Sequence, residues 1–480
     1  MRFVWSAAAL AVVGLWAQAA GADETHYENF RFGQTAIGFG GAVTGFLAEP
    51  EAAFYNPGGL GFLERSKFSG AINFLGRDRR IIRRWVSLND GFSPEKDGRS
   101  QDVLTLPGSS VVAKSLFGGR HIVAFSTFLY SETRDKFSGQ LPLNEDDELL
   151  RIGFTENLED RMVFIGPSYA ARISDRLSIG ASVFYARRTF SVFDQFTERI
   201  LDPEFPADAV GYFEVQEQLQ TTDGGLLARV GAMYRIDDHW SVGAVIATPA
   251  IHLHGKARYN YRIIDANPSD EEGDEDADLE RFFELNGRRA ARTQYPWMIG
   301  LGASWANPGQ WRLATSVNIH MPLNYARVDL DSEEIADDEF ASFVADVERE
   351  LTINASLGGE LYLSKRWPLR VGLFTNRASS PAITSSRSPV PRLPHVDLYG
   401  ASVSIGYEQD GSSINFGFEV QAGAGHETSL DASFTDAEPF LRRRREQYRG
   451  VFFVSGALAF VSGKAGELIE IDEDKPNKTE

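Results

Sequence analysis

About fourteen segments of this chain alternate apolar and polar residues, and the connections between them alternate short and long. From residue 351 onward, Leu351, Ile353, Ala355, Leu357, Leu361 and Leu363 occupy one parity, and Thr352, Asn354, Ser356, Gly358, Glu360 and Tyr362 the other. Successive side chains of a strand point to opposite faces, so each such segment has one apolar and one polar face. Strands of about 10 residues, joined by tight turns at one end and long loops at the other, mark an outer-membrane β-barrel. The expected fold is therefore all-β, a transmembrane antiparallel barrel of about 14 strands.

The predicted strands run over 67–75, 109–117, 121–131, 161–172, 177–193, 224–235, 240–262, 293–305, 311–328, 350–363, 367–375, 397–408, 412–423 and 447–461. Tight connections are expected at Gly118-Gly119, Ser174-Asp175, Asp237-Asp238, Asn307-Pro308-Gly309, Ser364-Lys365 and Asp410-Gly411, where Gly, Asp and Asn supply turn geometry. The other connections are expected to be long extracellular loops. An even strand number leaves both chain ends on the periplasmic side. Trp297, Ile299, Leu301, Ala303 and Trp305 form one lipid-facing row, and Ile414, Phe416, Phe418 and Val420 another. Phe452, Val454, Leu458 and Phe460 form a third, whereas Glu360, Arg370, Asn415 and Glu419 fall on the lumen parity.

The bulk properties agree. The chain has 480 residues, a net charge of −19 and no cysteine. That charge argues against a nucleic-acid partner, and the missing thiols exclude a disulfide framework or a thiolate metal site. Arg2, the apolar run Phe3 to Trp16 and the small-x-small Ala20-Gly21-Ala22 read as a signal peptide over 1–22, with Asp23 beginning the mature chain. Residues 23–65 are rich in Gly and Ala, lack alternation and contain Asn56-Pro57-Gly58-Gly59, a compact turn. Such an apolar segment is expected to pack inside the lumen as a hatch or plug. The barrel is expected over 66–462, followed by an acidic periplasmic tail over 463–480.

Thr35-Ala-Ile-Gly-Phe-Gly-Gly-Ala42 followed by Ala52-Ala-Phe-Tyr-Asn-Pro-Gly-Gly-Leu60 resembles the hatch of the FadL-type long-chain fatty-acid and hydrocarbon transporters. Tyr295 to Trp305 with Trp311, and Leu369-Arg-Val-Gly-Leu373 leading to Pro391-Arg-Leu-Pro394 and Asp397, resemble the same family. Two departures stand out. Gly58 replaces the family's usual Ala, and an acidic tail follows Phe460 where the family usually ends on an aromatic residue. The resemblance implies a 14-stranded barrel with Asn56, Pro57 and Gly58 as its hatch motif. It also implies passive uptake of hydrophobic molecules, released sideways into the outer membrane through a gap at a kinked strand.

A hydrophobic solute needs an apolar groove in the loops, a lumen pocket and an exit into lipid. Phe282, Phe283, Phe340, Phe343, Phe434 and Phe440 are candidates for the groove; the alternative is that they pack among the loops themselves. Residues Ile335 to Leu351 have the spacing of an amphipathic helix. Arg442 and Arg443, in a run extending to Arg445, are candidates to hold a carboxylate, and Arg79, Arg80, Arg83 and Arg84 form a second basic cluster. Binding of lipopolysaccharide phosphates, or balancing of acidic loops, is the alternative for both. His252 and His254 lack a third nearby metal ligand, and the acidic run Asp270 to Asp278 lacks EF-hand spacing. Ser316 and His320 share an inward parity but stand about 13 Å apart along a strand. No catalytic residue, metal or cofactor is therefore expected. The expected partners are hydrophobic small molecules, outer-membrane lipid and lipopolysaccharide, with a periplasmic partner for the tail as a further option. The competing functional reading is a structural or secretion-associated barrel.

Overall fold

Alternation becomes curvature when strands with one apolar face must pair on both edges and leave no backbone group exposed to lipid. The computed structural model describes residues 25–86, 96–145, 148–201, 209–266, 283–328, 346–409, 411–430 and 440–459. Its strands are β1 (Lys67–Val86), β2 (Lys96–Leu116), β3 (His121–Glu145), β4 (Glu148–Arg172), β5 (Leu177–Leu201), β6 (Ala209–Arg235), β7 (Trp240–Ala247), β8 (Ile251–Ala266), β9 (Phe283–Arg289), β10 (Met298–Asn307), β11 (Trp311–His320), β12 (Leu323–Ala326), β13 (Asp346–Arg349), β14 (Thr352–Ser364), β15 (Trp367–Asn376), β16 (Arg387–Ser388), β17 (His395–Gln409), β18 (Ser412–Leu430) and β19 (Phe440–Ala459). Fourteen of them form the antiparallel wall, in the order β1 to β7, β10, β11, β14, β15, β17, β18 and β19. The last strand pairs back onto the first, from Lys67↔Ala459 to Ile82↔Arg445. This is the multi-pass β-barrel typical of Gram-negative outer-membrane proteins.

The tight connections lie between the expected strands. Gly118 (φ 68°) and Gly309 (φ 72°) adopt backbone that side-chain-bearing residues avoid. Asp237 fixes another turn by accepting the backbone N–H groups of His239 and Trp240 at 2.8 and 2.7 Å. Asp410 lies outside the described residues.

The other end of the barrel differs from the sequence reading in three ways. First, β3, β4 and β5 are 25 residues long and β6 is 27, whereas about 9–11 residues cross a bilayer. What reads as a long loop between residues 131 and 161 is a paired ribbon running out to Glu145↔Glu148. Beyond the bilayer both faces of a strand meet water, so pairing continues where the apolar alternation stops. Second, the strand expected over 240–262 is broken at Thr248-Pro249-Ala250, where Pro cannot donate to a ladder. Likewise 293–297 precede β10, and the strand expected to reach 328 leaves the wall after His320. Third, Asp346–Arg349, at the end of the expected loop helix, is strand β13, paired with β12 in a separate two-stranded sheet.

Outside, an apolar belt surrounds the wall. Trp297 is exposed just before β10 and Leu301 and Trp305 on it, Ile414, Phe416, Phe418 and Val420 on β18, and Phe452 and Leu458 on β19. An apolar surface this continuous belongs in lipid rather than water. Trp240 and Trp305 stack at 5.8 Å at the turn end, as an interfacial girdle. Inside, Glu360, Arg370, Asn415 and Glu419 are buried. Because the chain has no cysteine, single substitutions test the register cleanly. Leu301→Cys, Phe416→Cys and Leu373→Cys are expected to react with a lipid-soluble maleimide and to resist a membrane-impermeant one. Equal labelling of the inward neighbours Ser304→Cys and Asn415→Cys would show the register to be wrong.

Candidate functional site

The N-terminal segment fills the lumen. Its short helical turns, Gln34–Gly38, Ala52–Tyr55 and Pro57–Phe62, are almost wholly buried. A buried backbone must have its polar groups satisfied, and the wall supplies partners. Asn56 Nδ2 donates to Thr44 O (2.8 Å) and to Ala232 O of β6 (3.0 Å), while its Oδ1 accepts the Gly58 N–H (3.1 Å). Ser182 donates to Ala53 O (2.7 Å), Arg172 to Gly61 O (2.7 Å) and Asn415 to Gln34 O (3.2 Å). The leading residues climb toward the loop end, where Thr25 O accepts from the Ser379 N–H (2.8 Å) and His26 Nε2 lies 2.7 Å from Val396 O.

Arginines of the wall lie over phenylalanines of this segment: Arg449 over Phe30 (5.4 Å), Arg312 over Phe46 (4.3 Å), Arg229 over Phe54 (4.0 Å) and Arg235 over Phe62 (4.0 Å). Arg31 reverses the arrangement, lying over Phe374 of β15 and pairing with Glu419 at 3.2 Å. Glu51, buried beside Glu49, has its carboxyl pushed up to about 7, first by burial and then by that like charge; Ser69 Oγ donates to it.

Above the Ala52–Tyr55 turn, aromatic side chains of segment and wall pack into one buried cluster, a chamber filled by its own rings. Phe54 touches Phe32 (4.9 Å) and Phe128 (5.2 Å), Tyr130 stacks on Phe164 (4.5 Å), and Tyr295 meets Phe164 edge-on (5.8 Å). Phe184, Met162 and Leu227 complete it. The chamber lies where the wall comes apart. β2 and β3 pair from Leu116↔His121 to Ser109↔Phe128 and, among the described residues, no further, although β2 stays paired with β1 out to Val86↔Lys96. Pro107, just beyond, has no N–H to offer. β3 is bulged at Tyr130, between Leu129 and Ser131 in its pairing with β4, and Phe128 to Thr133 are buried without alternation. The strand has sunk into the lumen. Tyr130 Oη donates to Tyr27 O at 2.8 Å, joining the kink to the N-terminal segment. At the turn end, a polar cavity of about 310 Å³ lies between Thr35, Glu49, Arg312, Glu360 and Arg370; its lining does not suit an apolar guest.

The residues singled out from sequence are dispersed. Phe282, Phe340, Phe343 and Phe434 lie outside the described residues, as do the acidic run, the signal peptide and the tail. Phe283 begins β9. Phe440 is not in a loop; it is buried at the start of β19, opposite Leu430 and Ser388. Arg442 donates to Ile383 O (3.3 Å) and Thr384 O (2.9 Å), fastening the connection after β15, and Arg443 follows it on β19. Arg80 is buried against Asp78 (3.0 Å) and Asp135, and Arg83 bridges Asp97 (2.7 Å) and Glu446 (3.1 Å). His254 meets the Tyr185 hydroxyl at 2.8 Å. Tyr130, Tyr295 and Arg229, which sequence reasoning passed over, line or floor the chamber. Their signal was faint: an aromatic or a basic residue at an inward position of a membrane strand.

No family model matches the sequence, and no curated protein matches it. Solved structures do match the fold. A Pseudomonas aeruginosa FadL homologue superposes with a TM-score of 0.64 at 16% identity, over 92% of this chain and 100% of that one. The fold is that of the FadL-like outer-membrane channels. The Pseudomonas putida toluene transporter TodX gives 0.56 at 13% identity, covering 89% of this chain and 98% of that chain. The Ralstonia pickettii toluene transporter TbuX gives 0.52 at 12% identity, covering 90% and 98%.

Hydrogen exchange of residues 25–65 in the reconstituted barrel tests how the segment is held. Folding raises the Glu51 pKa above its ordinary 4.5, so the folded form holds a proton that the released segment gives up. Its retention is unpenalised below that value and fully penalised above about 7. Protection is expected to fall between pH 5 and pH 8, and Glu51→Gln is expected to remove that dependence. Asn56→Ala leaves buried groups unpaired at about 1–3 kcal/mol each and is expected to speed exchange at every pH. A flat pH profile in the parent would contradict the assignment.

Proposed function

We propose that this barrel is a passive outer-membrane channel for hydrophobic molecules, most of all long-chain fatty acids, which it releases sideways into the bilayer. The observation that carries the reading is the aromatic chamber set against the point where β2 and β3 part. An apolar solute gains nothing from an open aqueous pore, since the lipopolysaccharide surface is its barrier. It gains about 0.8 kcal/mol per buried methylene in a greasy chamber, and it leaves without crossing water if the chamber opens onto lipid. The N-terminal segment supports this route, because it fills the lumen below the chamber with satisfied backbone. Tyr130 gives a means of opening: it belongs to the kink, the chamber and the bond to Tyr27 at once.

Arg229 favours acids over plain hydrocarbons. It is buried beneath the chamber, donates to Phe54 O at 2.6 Å, and has no ion pair to a carboxylate among the described residues. A fatty-acid carboxylate would provide one. The reading includes no chemical step, cofactor or energy source. Deletion cells are expected to take up labelled palmitate more slowly. Arg229→Leu is expected to cut palmitate entry by roughly tenfold or more, the worth of a charge-assisted hydrogen bond, while toluene entry stays near the parent rate. Unchanged uptake of acids, alkanes and aromatics in deletion cells would instead favour a structural or secretion-associated barrel.

A further inference from the structure

The wall is interrupted a second time, four strands on from β3. β6 pairs with β7 from Arg235↔Ser241 to Arg229↔Ala247, and with β8 from Leu226↔Ile251 onward. Between them Thr248 still holds β6, donating its N–H to Ala228 O at 2.9 Å and accepting the Ala228 N–H on its Oγ1 at 3.0 Å, while Pro249 and Ala250 lie in neither ladder. On the opposite edge the discontinuity is longer. β10 leaves β7 at Met298↔Ala247, and β9 first meets β8 at Arg289↔Ala257. Among the described residues, 251–256 therefore have no strand partner on that side. The chain facing them, residues 290–297, comes close at Gly255, where a Cβ would stand 1.8 Å from Ala291 O.

Accessibility separates the two interruptions. At the β3 kink, consecutive residues are all buried; at β8, Ile251, His252, Leu253 and His254 are all exposed. His252 lies opposite Gly225 and so shares the inward face of Asp223 and Leu227, both buried. The inward side chains before and after it, Ala247 and Ala257, are buried too. Its exposure between buried inward neighbours coincides with the place where the strand pairing is interrupted.

We propose that this break is a lateral port, through which a molecule passes between the aromatic chamber and the outer leaflet. It rests on the channel reading and adds to it a second exit with its own preference. The outer lip is apolar: Ile251 is 70% exposed, Leu253 53% and Trp297 49%. The inner rim is polar. Thr293 Oγ1 donates to Asp223 at 2.8 Å and accepts from Arg188 Nη1 at 3.3 Å, Arg188 is itself paired with Asp160 at 2.7 Å, and His252 lies within electrostatic reach of Asp223. Two residues beyond Thr293, Tyr295 is already part of the chamber, 5.6 Å from Tyr130. An apolar lip followed by hydrogen-bonding groups and a buried carboxylate suits an apolar body with a neutral polar head, as in a long-chain alcohol. Arg188 is already held by Asp160 in a bidentate pair, so the carboxylate of Asp223 disfavours an ionised head there.

The test uses His252→Cys in the full-length barrel, reconstituted in liposomes, with Ala247→Cys as the buried inward comparison. A lipid-soluble maleimide is expected to modify the thiol at 252 and to spare the one at 247. A bulky adduct at 252 is expected to slow hexadecanol entry several-fold against the same protein before modification, and to slow palmitate at neutral pH less. A thiol at 252 as unreactive as that at 247, or complete modification with unchanged hexadecanol entry, overturns the port. A parent barrel that carries neither tracer overturns the channel reading itself, whereas a parent that carries both and ignores the adduct overturns the port alone.

Discussion

The arrangement depends on fitting one backbone against another inside a closed wall. At Gly302 a Cβ would stand 2.7 Å from Gly45 N, and at Gly372 2.2 Å from Gly40 N. No side chain is tolerated at such a contact, so glycine is the only residue that allows it. Close approach brings segment carbonyls within reach of short wall side chains, which is how Ser182, Ser402 and Asn415 come to satisfy them. It leaves no room for water at those contacts, and the segment fills the lumen below the chamber apart from the polar cavity at the turn end. On the proposed route, a molecule that enters from outside leaves through the wall, whose pairing is interrupted at β2–β3 and at β7–β8.

Charge is handled differently at the two levels of the barrel. Below the chamber, several guanidinium groups lie over phenylalanine faces, which offers a partly compensated environment without a carboxylate. Above it, Arg80, Arg445 and Arg449 share Asp78, Asp135 and Glu427 in one buried network spanning β1, β3, β18 and β19. Breaking one partner of such a network would strand a buried charge, a loss of about 3–5 kcal/mol. The upper network ties the sunken part of β3 to β1 and β19 while β2 stays outside it. The parting of β2 and β3 is thereby held in place on its far side.

Much of the fold was legible because lipid enforces a strict code. Wherever a strand crosses the bilayer, its outward residues must be apolar, so β10, β14, β15, β17 and β18 were placed within a few residues. The code lapses outside the membrane, which is why most of the ribbons of β3 to β6 read as loops, although the run 177–193 was already too long to end at the bilayer. It also lapses where one partner strand replaces another, so the break at Pro249 lay hidden within an apparently continuous run. Asn56 stood out because a polar amide between apolar residues and a Pro-Gly turn needs partners. Tyr130, Tyr295 and Arg229 did not, because their meaning comes from four different strands and a connection converging on one spot. Nothing local in the sequence encodes that convergence.

On the proposed lateral route the N-terminal segment stays in place while hydrophobic molecules pass. Thr44 and Ser316 are in contact, with the Thr44 N–H donating to Ser316 Oγ at 3.1 Å, and the chain has no thiol of its own. A Thr44→Cys/Ser316→Cys pair can therefore bolt the segment to β11 by oxidation, and reductant can free it. Palmitate entry into liposomes should be the same in the oxidised and reduced forms. Entry that stops on oxidation and returns on reduction would show that the segment must move, and would contradict the account.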